Sequence, residues 1–196
     1  MNDNESYNNI VYIGPSGAER ATLTSMIGSS NDKLDFVEKT LKPLLCGTYT
    51  SRAITCGGIG SGMAVKSINN ILNTAHCLVA AEGLLALKKF GVSPDVALDV
   101  INSSSGRSLA TEVRIPMEVL TGKFGFGFAL SLMAKDCRIA SQLLSENFPQ
   151  ATLLQEVNKL INEAETSTDW GSTADYSAVI KLLEERSGTD LRSNAK

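Results

Sequence analysis

One segment of the sequence has residue types and spacing that could carry out chemistry: CGGIGSGMAVKSINN, residues 56–70. Its alternating glycines permit a sharp turn before a predicted helix. Lys66 lies near the start of that helix, and Asn70 follows four residues later on the same helical face. Backbone amides at a helix start attract anions, and a lysine can serve as a general acid or base. The segment therefore predicts a small-carboxylate pocket beside a proton donor, with a surface lysine in an ordinary helix as an equal alternative.

The glycine spacing differs from two nucleotide-binding fingerprints. A dinucleotide fold requires G-x-G-x-x-G, with an acidic residue about twenty positions later at the end of another strand. Here Gly58, Gly60 and Gly62 form G-x-G-x-G, and Glu82 falls within the same predicted helix. A P-loop requires a lysine directly after the last glycine, and Lys66 stands four residues further on. We therefore do not assign the turn to either motif.

Composition excludes several other functions. The net charge of −3 does not favour nucleic-acid binding, and no run of eighteen apolar residues predicts a membrane span. His76 is the single histidine, and we expect it to be a packed or half-exposed helix residue rather than a metal ligand. We predict no metal site. Four widely spaced cysteines and a polar N-terminus without a targeting pattern indicate reduced thiols in a cytoplasmic protein.

The pattern of apolar residues predicts a few strands and one helix at the beginning of the chain and helices after them. Strands are predicted at 9–13, 21–28 and 51–57, with one helix over residues 30–45. After Gly62 the predicted regular elements are all helices. The predicted helices cover residues 63–90, 94–101, 128–147, about 150–165 and 174–186, with broken helix and loop over 109–127.

We therefore predict a mainly α protein with a small α/β part at its beginning. Residues 1–57 would form a remnant of an α/β nucleotide-binding domain, with about three strands and one helix. Residues 58–188 would form an all-α substrate and dimerisation domain, and residues 189–196 a disordered tail.

Several segments in order resemble the β-hydroxyacid dehydrogenases, a family that includes 3-hydroxyisobutyrate dehydrogenase, tartronate semialdehyde reductase and glyoxylate/succinic semialdehyde reductase. The segment GGIGSGMAVKSINN is similar to the family's catalytic segment. GFALSLMAKDCRIASQLL resembles its F-x-x-x-L-x-x-K-D segment, and DYSAVIKLLEE resembles its closing helix. The resemblance implies a helical domain like the C-terminal domain of 6-phosphogluconate dehydrogenase, here preceded by the end of a Rossmann-type domain.

The resemblance also implies roles for individual residues. Lys66 would be the catalytic acid/base, and Asn70 would orient a small carboxylate substrate together with Gly14 and Gly62. Lys135 and Phe128 would contact the cofactor, NAD or NADP. Without the resemblance, Lys135 reads as an exposed partner of the next residue and Phe128 as core packing.

Two departures from the family pattern lead to an alternative. The resemblance implies that the phosphate-binding half of the nucleotide domain is absent from this chain. Tyr12, Ile13 and Gly14 stand where the family has a Ser-Gly-Gly substrate loop, and Ala21 replaces a glycine. The first expectation is a truncated or divergent NAD(P)-dependent β-hydroxyacid dehydrogenase that forms homo-oligomers through its helical domain. The alternative is a non-catalytic oligomerisation or binding module derived from that domain.

Overall fold

The computed structural model describes residues 9–13, 23–48, 50–167, 169–171 and 173–193. The chain divides into two compact units, Met1–Asn69 and Asn70–Lys196. The described part is mainly α-helical with a small α/β portion at its beginning, which confirms the predicted fold class.

The first unit is a three-stranded sheet covered by one helical run. Strand β1 (Asn9–Ile13) pairs antiparallel with β2 (Leu23–Gly28), which pairs parallel with β3 (Thr50–Gly57). The run α1 covers residues 31–48 and changes pitch along its length: Asn31–Lys33 is a 3₁₀ turn, Leu34–Phe36 and Lys42–Thr48 are α-helical, and Val37–Leu41 is π-helical. The hydrophobic core of this first unit contains Ile27 from β2 and Val37 and Leu45 from α1.

Glycines set the close approach between β2 and the turn that follows β3. Gly57 and Gly60 have φ angles of 128° and 89°, which side-chain-bearing residues rarely adopt. A Cβ on Gly62 would lie 2.6 Å from the Met26 carbonyl oxygen, and one on Gly28 would lie 2.6 Å from the Gly58 carbonyl oxygen. The backbone of the chain itself therefore fills the space that the missing side chains leave.

The longest helix, α2, covers Ser61–Phe90 and belongs to both units in sequence. Within the second unit its buried residues follow the spacing of a core-facing helical stripe; they are Asn70, Ile71, Thr74, Cys77, Leu78, Ala81, Leu84 and Leu85. By length and composition alone α2 could cross a membrane, but 44% of its most apolar window is buried inside the protein, and core helices pass the same test.

Six further elements follow in the described part of the second unit. These are α3 (Pro94–Asn102), the π-helical α4 (Ala110–Val119), α5 (Leu130–Asn147), α6 (Leu153–Ser167), a 3₁₀ turn (Tyr176–Ala178) and α7 (Val179–Ser187). Helix α3 begins at Pro94 because the Ser93 hydroxyl accepts a hydrogen bond from the Val96 amide. The prediction of a helix from residue 128 is wrong by two residues, since α5 begins at Leu130.

The segment after α7 is packed against the second unit. Gly188 ends α7 in the left-handed conformation, with a φ of 68°. Leu191 is fully buried, and its amide donates a hydrogen bond of 2.9 Å to Glu184 Oε1. Residues 189–193, which the sequence analysis assigned to a disordered tail, are thus ordered by a buried leucine and a buried carboxylate.

The glycine contacts lead to a test with two substitutions in one helix. Gly62→Ala should lower the free energy of unfolding by about 1–3 kcal/mol, because its methyl group would collide with the Met26 carbonyl. Gly83→Ala should raise it by about 0.5–1 kcal/mol, because Gly83 is exposed, helical and has open space around its Cα. Denaturant unfolding measures both, and equal effects of the two substitutions would contradict the packing.

Candidate active site

Lys66 is the sixth residue of α2, because the helix begins at Ser61 rather than at the predicted residue 63. The field of a helix dipole falls off within the first turn, so Lys66 lies beyond its strongest part. The side chain is half-buried. Gly62, one turn earlier on the same face, is buried against the Met26 carbonyl, so close packing accounts for this glycine. Gly14, predicted to bind substrate, lies outside the described residues.

Asn70 stands one turn after Lys66 on α2, and its side chain is fixed by a buried carboxylate. Its Nδ2 atom donates a hydrogen bond of 2.7 Å to Asp136 Oδ2 on α5. Asn70 is 9% exposed and Asp136 is 1% exposed, so this bond is shielded from water. A buried carboxylate is tolerated only when it is hydrogen-bonded or paired with a cation. The Asn70 amide therefore has a defined orientation, with its nitrogen toward Asp136.

Lys135 supplies a second partner of the same carboxylate. Its Nζ atom lies 3.0 Å from Asp136 Oδ1, and its side chain is 48% exposed while that of Asp136 is 1% exposed. The ammonium group therefore reaches back from the helix surface to a buried acid. The pair that the sequence suggested as exposed is half-exposed on the lysine side and buried on the aspartate side.

Phe128 lies in the segment before α5, which two neighbouring residues hold in place. Asp175 Oδ2 accepts hydrogen bonds from the amides of Gly127 and Phe128, at 2.8 and 2.9 Å. The Phe128 ring meets the Tyr176 ring edge-on, with centroids 6.1 Å apart. The Phe128 side chain is half-buried. Its backbone is fixed while part of its ring remains accessible to a ligand.

Buried sulfur and phenol groups near Asn70 stay protonated at neutral pH. Burial raises the pKa of the Cys77 thiol to about 11 and that of the Cys137 thiol to about 12. Burial also raises the pKa of Tyr176, whose hydroxyl accepts a hydrogen bond of 3.2 Å from Asn73 Nδ2. Since the thiolate is the reactive form of cysteine, neither thiol serves as a nucleophile here. Amine and carboxylate groups remain as candidates for proton transfer.

Comparison with known proteins places this helix arrangement in a family. The family model described as NAD-binding of NADP-dependent 3-hydroxyisobutyrate dehydrogenase matches residues 60–183. That region contains Lys66, Asn70, Phe128 and Lys135. The chain belongs to the 3-hydroxyisobutyrate dehydrogenase family.

Relatives of this dehydrogenase family match most of the chain. The 2-(hydroxymethyl)glutarate dehydrogenase of Eubacterium barkeri is 31% identical over 91% of this chain and 57% of its own length. A probable mitochondrial 3-hydroxyisobutyrate dehydrogenase of Arabidopsis thaliana is 30% identical over 86% of this chain and 48% of its own. The chain thus spans about half of each curated relative.

A solved structure agrees with the sequence comparison. The 3-hydroxyisobutyrate dehydrogenase of Mycobacterium tuberculosis, in a structure with L-serine, superposes with a TM-score of 0.74 at 26% identity. The match covers 90% of this chain and 60% of that one. The strand, turn and helix pattern described above is therefore the pattern of this dehydrogenase family.

Sequence reasoning missed Asp136 as a site residue, although a signal for it was present. The buried positions of α5 include Met133, Cys137 and Ala140, and Asp136 follows Met133 at the helical spacing of three. An acidic residue at a position that packing should reserve for an apolar side chain requires a specific partner. Here that partner is an amide sixty-six residues earlier, which local patterns do not reveal.

The Asn70–Asp136 bond predicts a stability difference between two aspartates. Asp136→Ala should lower the free energy of unfolding by about 1–3 kcal/mol, because the buried Asn70 amide loses its acceptor. The control Asp99→Ala removes an exposed helical carboxylate and should change it by less than about 0.5 kcal/mol. Chemical denaturation followed by circular dichroism gives both values. Matching losses would contradict a structural role for the bond.

Proposed function

We propose that this chain carries the proton-transfer part of an NAD(P)-dependent dehydrogenase for small 3-hydroxy acids or the corresponding semialdehydes. The observation that carries the proposal is the spacing of a half-buried lysine and an amide fixed by a buried carboxylate, one turn apart on α2. Family membership and the dehydrogenase names of the relatives support the same reaction class.

The chemistry assigns one task to each side chain. In the oxidation direction, Lys66 is the base that takes the proton of the substrate hydroxyl as the carbon–hydrogen bond breaks. In the reduction direction, the Lys66 ammonium returns that proton to the carbonyl oxygen. The Asn70 side chain, held by Asp136, orients the substrate one turn from Lys66. Asp136 acts through Asn70 as a positioning residue.

Two residues near α5 support the assignment of a nicotinamide cofactor to this part of the chain. The cofactor supplies the hydride acceptor or donor of this reaction. Phe128 offers a half-buried aromatic face, and Lys135 offers a half-exposed ammonium for a polar or anionic group. The Phe128 backbone is already fixed by Asp175, so that part of the proposed site is formed before any ligand binds.

Substitution of Lys66 tests the catalytic assignment in the natively expressed protein. With NAD⁺ or NADP⁺ and a panel containing 3-hydroxyisobutyrate and 2-(hydroxymethyl)glutarate, Lys66→Ala should lower kcat by about 10²–10⁴-fold. The cofactor Kd should stay within about twofold, since the missing amine acts on the substrate proton.

The control is Lys159→Ala, which removes an exposed lysine of α6 and should leave kcat unchanged. Undiminished turnover in Lys66→Ala would reject Lys66 as the acid/base. Tight binding of neither cofactor by the native protein would instead favour the non-catalytic module.

One exposed surface of α2 supports self-association. Both the dehydrogenase and the non-catalytic module are expected to form homo-oligomers. Six of its exposed residues recur from position 72 at alternating spacings of four and three, the pattern of a coiled-coil seam, and exposed Glu82 and Lys89 flank them; the six are Leu72, His76, Val79, Gly83, Ala86 and Phe90. Val79 is 66% exposed and Phe90 is 85% exposed, so the seam is apolar at its centre and end. We propose that a second copy of the chain covers this α2 seam, because two copies offer matching periodicity.

A charge placed on the α2 seam should prevent this association. Val79→Glu should shift the protein from dimer or larger to monomer in analytical ultracentrifugation, because a buried unpaired carboxylate is costly. The control Leu153→Glu changes a leucine that is 82% exposed at the start of α6 and should leave the mass unchanged. A monomeric wild-type protein, or a Val79→Glu variant with unchanged mass, would contradict this interface.

A further inference from the structure

The segment after α7 folds back on that helix through an ion pair whose carboxylate is buried. Arg192 Nη2 lies 2.8 Å from Glu184 Oε2, while the other Glu184 oxygen accepts the Leu191 amide at 2.9 Å. The Glu184 side chain is 9% exposed. Both oxygens of one buried carboxylate are therefore used to fix residues 191 and 192.

From this position Arg192 reaches the end of α4 and the loop after it. Its Nη1 atom donates to the Val119 carbonyl oxygen, and the Ser193 amide donates to the Leu120 carbonyl oxygen at 3.1 Å. Carbonyls at a helix C-terminus have no partner within the helix. The Leu120 carbonyl accepts the Ser193 amide, and the Val119 carbonyl accepts Arg192 in addition to the Gly122 amide at 3.0 Å. A Cβ on Gly122 would come within 3.2 Å of the Arg192 side chain.

The residue that Arg192 covers has an unfavourable backbone conformation. Phe124 has a φ of 46°, and among the described residues it is the one non-glycine with a positive φ. The Arg192 guanidinium carbon and the Lys181 ammonium each lie 4.7 Å from the centroid of the Phe124 ring. Residues held in such conformations persist when surrounding contacts over-determine them, and they occur frequently at functional sites.

The same loop leads directly into the segment that the proposed function assigns to the cofactor. The Phe124 amide donates to the Glu118 carbonyl at 3.2 Å, and the Gly125 amide donates to Glu118 Oε2 at 2.8 Å. Four residues after Phe124 comes Phe128, followed by α5 with Lys135. The backbone conformation at Phe124 therefore sets the direction in which the chain leaves α4, before Asp175 holds the Gly127 and Phe128 amides.

We propose that Arg192 is a positioning residue: paired with Glu184, it holds Phe124 in its left-handed conformation and thereby sets the loop that presents Phe128. The consequence for cofactor binding rests on the proposed function. The effect on the loop itself does not, because it follows from contacts within the second unit.

Hydrogen–deuterium exchange of the intact, ligand-free protein tests the effect on the loop. In Arg192→Ala, the Phe124 and Gly125 amides should exchange at least about tenfold faster, because the loop opens locally. Peptides from α6 should keep their wild-type rates. Arg192→Lys, which retains the charge opposite Glu184 but lacks the forked donor, should show a smaller increase and also covers the case in which Arg192→Ala does not fold.

The matched control is Arg186→Ala, which removes an arginine of α7 that pairs with Glu163 at 2.5 Å on the surface. It should leave exchange of the loop unchanged. Unchanged loop exchange in both Arg192 variants, or a uniform increase across the whole unit, would overturn the proposal.

A titration with NAD⁺ and NADP⁺ then tests the consequence for the site. Arg192→Lys should raise the cofactor Kd by about three- to tenfold, with the thermal midpoint close to that of the wild type. An unchanged Kd despite faster loop exchange would overturn the link to Phe128. If the wild-type protein binds neither cofactor, the proposed function fails, and the exchange data still decide the role of Arg192 in the loop.

Discussion

A carboxylate removed from water needs partners, and this requirement at Asp136 organises the proposed site. The Asn70 amide and the Lys135 ammonium satisfy it, at 2.7 and 3.0 Å. Because Asn70 belongs to α2 and Asp136 to α5, the bond fixes the register between these two helices. An apolar contact would tolerate a small sliding of one helix along the other, whereas a short charge-assisted hydrogen bond does not. Two side chains given roles in the proposed function thus share one buried acid.

Helix α2 has several roles, because different turns and faces of this long helix carry different kinds of residue. The face that carries Lys66 and Asn70 continues along the helix as the buried stripe, since Cys77 and Leu84 follow Lys66 after about three and about five helical turns. The exposed α2 seam runs along another side. The start of the helix is fixed differently, since Gly62 lets it approach the Met26 carbonyl more closely than any side chain would permit. The proposed catalytic residues and the buried stripe therefore follow one another along one face of α2, and the seam for association lies on a different face.

Contacts of aromatic and charged side chains hold the irregular segment between α4 and α5. Arg114 lies 3.3 Å from the centroid of the Phe126 ring, and Tyr176 meets that ring edge-on. Asp175 fixes the amides just before α5. Cation–π and edge-to-face contacts depend on orientation, so they define a loop conformation more narrowly than nonspecific apolar packing does. Such a loop can present Phe128 with a fixed backbone.

The sequence by itself determined the elements whose signals are local. The glycine turn, the long periodic helix after it and the four-residue spacing of Lys66 and Asn70 could all be read from it, because turns and helical faces depend on neighbouring residues. Its similarity to the dehydrogenases was also sufficient to identify the family.

Only the tertiary structure decided which distant side chains meet. Asp136 joins Asn70 across sixty-six positions of sequence, and Arg192 joins Val119 across seventy-three. The tertiary structure also showed that Gly62 packs against the Met26 carbonyl and that residues 189–193 are ordered. Both features depend on contacts with atoms of other elements. Long-range pairing is fixed by the simultaneous packing of several helices, and no single stretch of sequence contains that information.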